Sequence, residues 1–214
     1  MQWAEKGITA FPDERLDDLV KFSIAEHLRR GDADRVESLA WQRFVRQPGS
    51  DAYFELVSVG KRIERADNLA ARALQHLWQQ VRAEEAPKPK SLPSWQAPIR
   101  SALVAIHLRE KDAENTWETF RGGPVDVRLW DKVAAVRGKT HPEDAVALYK
   151  KLLPHAVNAG TRGARYGEAF EIVQAIQKLR AARNQHAVFK QELAELRVTW
   201  KAKRNFMKLL ANIG

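Results

Sequence analysis

The 214-residue chain has no cysteine. That absence excludes disulfides and every zinc site built on thiolates. It also fits a reducing compartment, so a cytoplasmic location is the expectation. Long apolar runs are missing too. None approaches the roughly 18–20 residues that a membrane span needs, and the first residues show neither the basic start nor the apolar block of a secretion signal. A membrane is therefore not an expected partner. No run of alternating apolar residues is long enough for a strand, and there is no Asn-Gly hairpin signal. The six histidines, His27, His76, His107, His141, His155 and His186, form no His-Glu-x-x-His element and no i, i+4 pair. They read as surface or capping residues rather than metal ligands, and no cofactor is expected. Gly122-Gly123-Pro124 lacks the Gly-x-x-x-x-Gly-Lys spacing of a phosphate loop.

Helical periodicity is what the chain does have. Hydrophobic residues make up 44% and charged residues 29%, the composition of a soluble, folded protein. The stretch from His141 to Leu210 shows the pattern best. Pro142 suits a first helical turn, where its missing N–H costs nothing, and Glu143 and Asp144 complement the positive end of the helix dipole. Ala145, Leu148, Tyr149, Leu152 and Leu153 then share one face. Pro154 is expected to kink or end the regular part, with Asn158-Ala159-Gly160 closing it. The next helix carries Tyr166, Ala169, Phe170, Val173, Ile176 and Leu179 inward and breaks at Asn184-Gln185-His186. The third is expected to run on unbroken, with Phe189, Leu193, Leu196, Trp200, Met207 and Leu210 on one stripe.

Upstream, helical faces run from Leu16 to Leu28, Val36 to Val45, Tyr53 to Ile63 and Leu69 to Val81. The third of these is expected to be capped by Ser50-Asp51, and the fourth entered through a turn at Asp67-Asn68. Further faces run from Ile99 to His107, Trp117 to Phe120 and Val127 to Val136. A helical pattern also begins at Trp3 with no cap before it, so the chain reads as cut from a longer parent.

The segment Pro87-Lys88-Pro89-Lys90-Ser91-Leu92-Pro93-Ser94 cannot be helix. It divides the chain into helical repeats over 1–86, a connector over 87–98, and helical repeats over 99–214 that end in a basic helix. Turn signals at Asp32, Asp67, Asp112 and His141 stand 35, 45 and 29 residues apart, the 45 including the Pro-rich insert. A period near 35 is that of helix–turn–helix repeats, and tetratricopeptide repeats run at about 34. One hairpin cannot bury its apolar face alone, so neighbours stack. The expected fold class is all-α, with tetratricopeptide-like helix hairpins stacked as an α-α superhelix. A compact helical bundle is the alternative.

Charge is unevenly placed. The chain carries +9, and from Gly160 onward 11 Lys and Arg face only 4 Asp and Glu. In the last helix Lys190, Arg197, Lys201, Arg204 and Lys208 lie roughly 60–120° from the apolar stripe at 100° per residue. Such a stripe suits a polyanion, because cations neutralise phosphates and release counterions. The plainer reading is the solvated face of a capping helix. No exposed aromatics interleave it, so stacking on single-stranded bases is not suggested. Gly160-Thr161-Arg162-Gly163-Ala164-Arg165 could hold an anion on free N–H groups, or be an ordinary loop between helices. Arg162 and Arg165 therefore join the polyanion candidates. Of seven tryptophans, Trp41, Trp78, Trp117, Trp130 and Trp200 fall in apolar stripes and read as core. Trp3 and Trp95 do not, and Trp95, beside the Pro-rich connector, is the candidate protein-binding anchor. Glu37, Glu114, Glu118, Glu143, Asp144 and Glu168 could supply a carboxylate pair for acid–base work. Nothing in their spacing marks them as buried, so no catalytic residue is assigned and an enzyme is not the expectation.

Several segments, in order, resemble one family. Ala4-Glu5-Lys6-Gly7-Ile8 through Phe11-Pro12-Asp13 is similar to a segment in the helical region after the zinc finger of bacterial SWIM zinc-finger proteins. Ala40-Trp41 through Phe44 with Pro48-Gly49-Ser50, Tyr53 to Leu56, Trp117 to Gly122-Gly123, and Leu129-Trp130 continue the likeness. So do His141-Pro142-Glu143-Asp144-Ala145, Tyr166 with Ala169, and Leu196-Arg197 through Lys203-Arg204. The resemblance implies that this chain is the helical region of such a protein. The family's Cys-x-Cys…Cys-x-His ligands cannot be carried over to a chain without cysteine, and the family's helical region has no assigned reaction.

The expected function is a non-catalytic helical-repeat scaffold mediating protein–protein interaction within a larger zinc-finger protein. Its partner would be another protein or an upstream part of the same parent chain. The alternative is an accessory nucleic-acid-binding module using the basic C-terminal helix.

Overall fold

The computed structural model describes residues 17–86, 97–161, 163 and 165–213. The pattern starting at Trp3, the segment Pro87–Ser94, Trp95 and Arg162 lie outside the described residues. The described chain is all-α, with eleven α-helices and no strand among the described residues. It forms two compact units, Met1–Glu110 and Lys111–Gly214.

In the first unit, α1 is Asp17–Arg29, α2 Ala33–Arg46, α3 Ser50–Arg62, α4 Ala66–Glu84 and α5 Arg100–Glu110. From α1 to α5 each helix packs on the next, and α5 also returns to α3. The core is built from the positions that the 3.6-residue period selects, among them Val36, Leu39, Phe44, Leu69, Leu77, Leu103 and Ile106. Side chains also link helices two apart. The Tyr53 hydroxyl of α3 donates to Glu110 of α5 at 2.9 Å, and Arg109 lies 4.1 Å over the Phe54 ring. Trp41 of α2 meets His76 of α4 edge-on at 5.8 Å. Arg43 of α2 bonds Asp17 of α1 and Glu55 of α3. The two sides of the Pro-rich segment are tied as well. Glu84 accepts the Ile99 N–H at 2.9 Å, and buried Arg100 donates to Glu85 at 2.6 and 2.9 Å.

In the second unit, α6 is Ala113–Arg121, a 3-10 turn spans Val127–Leu129, and α7 is Trp130–Arg137. Then follow α8 Pro142–Thr161, α9 Gly167–Ala181, α10 His186–Thr199 and α11 Arg204–Ala211. Sequential neighbours pack, and α11 returns to α9. Leu153, Val157, Val173, Ile176, Phe206 and Leu210 are buried between them. The α8–α9–α10 layer is pinned by one ionic cluster. Buried Arg180 of α9 donates to Glu192 of α10 at 2.8 and 3.3 Å, to Glu143 of α8 at 2.8 and 2.9 Å, and to Gln185 at 2.8 Å.

One turn geometry recurs. Gly31, Glu64, Lys111 and Asn184 have φ of 72°, 59°, 62° and 56°, and each stands two residues before a helix. In three of these turns the next N–H reaches back five residues: Asp32 to the His27 carbonyl, Arg65 to Gly60 and Gln185 to Arg180, at 2.9–3.0 Å. This is the left-handed helix stop that satisfies orphan carbonyls. Asp32 and Asp112 then cap the following helices through Arg35 N–H and Asn115 N–H.

Four local expectations are corrected. The turn before α4 lies at Glu64, so Asp67-Asn68 is already helix. The cap of α3 is Gly49, with Ser50 the first helical residue and no side-chain cap bond. Pro154 sits inside α8 without ending it. Leu152, Leu153, Ala156 and Val157 are buried around it, and that packing offsets the roughly 3 kcal/mol an interior proline costs. The last helix is not continuous: α10 stops at Thr199, and α11 starts at Arg204 after a turn. Turning back lets Phe206, Leu210 and Ile213 bury themselves at 0%, 0% and 4% exposure. Phe206 meets Tyr166 at 5.6 Å between ring centroids.

Candidate interaction surfaces

The first unit presents a groove between α2 and α4. One cleft of about 330 Å³ is lined by Asp34, Glu37, Ser38, Trp41, Arg65 and Arg72. A neighbouring one of about 760 Å³ shares Glu37 and Arg65 and continues along Lys61, Glu64 and the first turn of α4. Arg72 stacks on Trp41, 3.8 Å from the ring centroid, which holds the half-buried indole flat against the wall. Arg65 pairs with Asp34 at 2.8 Å and Glu37 at 2.7 Å, and Arg72 reaches Glu37 at 3.6 Å. The groove thus sets a half-buried indole, stacked under Arg72, among paired charges.

The tryptophans sit at the rim of the core rather than inside it. Trp41, Trp78, Trp117, Trp130 and Trp200 are all half-buried. Arg100 lies 5.4 Å over Trp78 and Arg137 4.7 Å over Trp117. The Trp130 indole N–H donates to the Val125 carbonyl at 3.1 Å.

The basic candidates divide into two groups. Arg165, Lys190, Lys201, Arg204 and Lys208 are exposed, and none makes an ion pair among the described residues. Arg197 is turned inward: it donates to the carbonyls of Leu210 at 2.8 Å and Ile213 at 3.2 Å, closing the end of α11. Lys190 lies near the start of α10, roughly 14 Å of helix from its end. Arg165 instead precedes Tyr166, whose ring packs on Phe206 of α11. Lys203, a residue that the sequence pattern did not single out, donates to the Thr161 hydroxyl at 3.1 Å. A cleft of about 420 Å³ opens there, lined by Thr161, Tyr166, Ala202, Lys203, Arg204 and Asn205.

Five of the six carboxylates considered for acid–base work pair with cations. Glu37 meets Arg65, Glu114 and Asp144 meet Arg137, Glu118 meets Arg121, and Glu143 meets Arg180. Glu168 is exposed. Arg180 holds the Glu143 carboxyl below its ordinary value, with Gln185 helping. Burial pushes Glu192 up, but hydrogen bonds from Arg180 and Lys150 outweigh it and the net shift is down. Arg43, then Lys21, hold Asp17 at about 2, and Arg29 with Arg30 hold Glu26 at about 2. Hydrogen-bonded carboxylates shifted this way serve as ion-pair partners. Burial, then Asp131, pushes the Tyr149 phenol up to about 12.

Three histidines bear on packing: His27 bonds Asp32 at 3.0 Å in the α1–α2 turn, His76 meets Trp41 and Phe44 at 5.8 and 5.9 Å, and His155 abuts Trp130 at 5.9 Å. No group of three potential metal ligands occurs among the described residues, and no helix there is long and apolar enough to cross a membrane. No family model, no curated protein and no solved structure matches this chain.

Proposed function

We propose that the chain is a non-catalytic helical-repeat scaffold whose partner is another protein or an upstream part of its own parent chain. The observation that carries this reading is the contact between helices two apart inside each unit: α3 with α5, and α9 with α11. Tetratricopeptide-like hairpins stack in that way, each covering the apolar face its neighbour cannot bury, and the stack presents a wall of parallel helices for binding. The α2–α4 groove is the face assigned to the partner. Its Trp41 is of the residue type that anchors interfaces, and the paired charges form a polar rim around it. The ordered likeness to SWIM zinc-finger proteins supports placing the parent chain in that group, and the cysteine-free composition is in keeping with a cytoplasmic site. Capture on the immobilised full chain from nuclease-treated extract tests the reading. The partner recovered should slow amide exchange in α2 and α4. A chain that retains no nuclease-resistant partner contradicts it.

A second reading, an accessory nucleic-acid-binding module, is favoured by one observation. From Leu196 to Gly214 the chain holds five cations and no acid, and Lys201, Arg204 and Lys208 there are exposed and unpaired among the described residues.

A further inference from the structure

The fold joins two basic segments that are 42 residues apart in the chain, through the Lys203–Thr161 hydrogen bond. We propose that the cleft between the end of α8 and the α10–α11 turn seats the phosphate backbone of a double-helical nucleic acid. This inference rests on the second reading above and gives it an address.

Three observations favour that occupant. First, the lining is the chemistry that contacts phosphates and sugars: Lys203, Arg204, Thr161 and Asn205. No carboxylate lines the cleft among the described residues, and Lys201 and Arg165 stand beside it in the chain. An acidic protein would need an apolar anchor beside its charges, and the cleft offers only Ala202 and a Tyr166 that is 6% exposed. Second, the apolar side of α11 is already covered, with Phe206 and Leu210 both at 0% exposure, which leaves the single exposed Val198 beside the turn rather than an apolar helix face to enter a lipid surface. Third, the one aromatic side chain lining the cleft, Tyr166, is 6% exposed, so the cleft offers no stacking platform for unpaired bases. What is left is sequence-independent contact with a regular backbone, in which the charges of the polyanion are matched by Lys203 and by Lys201 and Arg204, which make no ion pair among the described residues.

The test is fluorescence anisotropy of the full chain with labelled DNA and RNA duplexes of mixed sequence. If three or four phosphates are engaged, affinity should fall roughly 40- to 150-fold between about 50 and about 200 mM salt. The variant Lys201→Glu/Arg204→Glu should lose at least about tenfold in affinity at low salt, and its salt slope should drop by about two. Neither side chain has a partner within the described protein, so thermal unfolding should be unchanged. Lys190→Glu, at the far end of α10, should change affinity less than about threefold. Salt-sensitive binding that the double variant leaves intact would overturn the cleft while leaving the second reading standing. Wild-type protein that binds neither duplex at low salt would overturn both. Tighter binding to polyglutamate or to vesicles of anionic lipid than to duplex would overturn the assignment in favour of those partners.

Discussion

At the scale of single residues, Arg180 matters most to the second unit. Its guanidinium reaches two carboxylates and an amide from three segments, and its side chain and that of Glu192 are only 9% and 10% exposed. Arg180→Met leaves the Glu192 charge without its main partner. Breaking such a pair costs about 3 kcal/mol, a loss that urea unfolding monitored in the second unit would read. Arg180→Met/Glu192→Leu should recover most of it, because the uncompensated charge goes too. A single variant as stable as wild type would contradict the role assigned to the cluster. The same contacts set an acid limit. Asp17, Glu143 and Glu192 are held below the ordinary carboxyl values of 3.8, 4.5 and 4.5. Carboxyls that are more acidic folded than unfolded stabilise the native state above their unfolded values, and that stability is lost as pH falls through the folded ones. The urea midpoint should therefore hold from pH 7 to about 5 and decline from about 4.5 toward about 2. In Arg180→Met the decline should be shallower. A midpoint insensitive to acid would count against these ion pairs.

At the scale of elements, the decisive feature is the return of α11. A Cβ on Gly160 would stand 2.5 Å from the Arg165 carbonyl oxygen. Gly160→Ala must therefore push the α8–α9 turn open, at about 1–3 kcal/mol, and amide exchange should quicken around 160–167. Phe206→Ala should release α11, with exchange protection lost over 204–211 and retained in α1 to α5. Protection persisting at 204–211 would show that Phe206 is not what docks the helix. These elements also show where the sequence was legible. The all-α class and most buried faces could be read because apolar residues recur every three or four positions, as Val36, Leu39, Ala40 and Phe44 do. The break before α11 could not be read, because Trp200, Met207 and Leu210 fit an unbroken stripe. The structure buries Phe206 instead of Met207, a change of face that only the fold-back explains. The inward turn of Arg197 is likewise invisible without its acceptors on α11. Trp41 was visible as an apolar-stripe residue, but the groove around it depends on Arg65 and Arg72 meeting Glu37 from another helix, a tertiary pairing that no spacing within α2 announces.

At the scale of the whole molecule, charge is segregated. Residues 111–214 hold 19 Lys and Arg against 11 Asp and Glu, so they carry +8 of the chain's +9. The first unit is close to balanced, with an aromatic groove in which Arg65 and Arg72 pair with Asp34 and Glu37. The second ends in Lys201, Arg204 and Lys208, which are exposed and make no ion pair among the described residues. A near-neutral groove suits a protein partner, and a basic end suits a polyanion. The central claim is that the chain works by binding a protein through the α2–α4 groove. Quantitative affinity capture from nuclease-treated extract, with wild-type chain, Trp41→Ala/Arg72→Glu and Lys201→Glu/Arg204→Glu as parallel baits, tests it most directly. The account predicts a protein enriched by wild type and by the Lys201→Glu/Arg204→Glu bait, and lost from the groove variant. Equal enrichment on all three baits, or enrichment that disappears with nuclease, would contradict it.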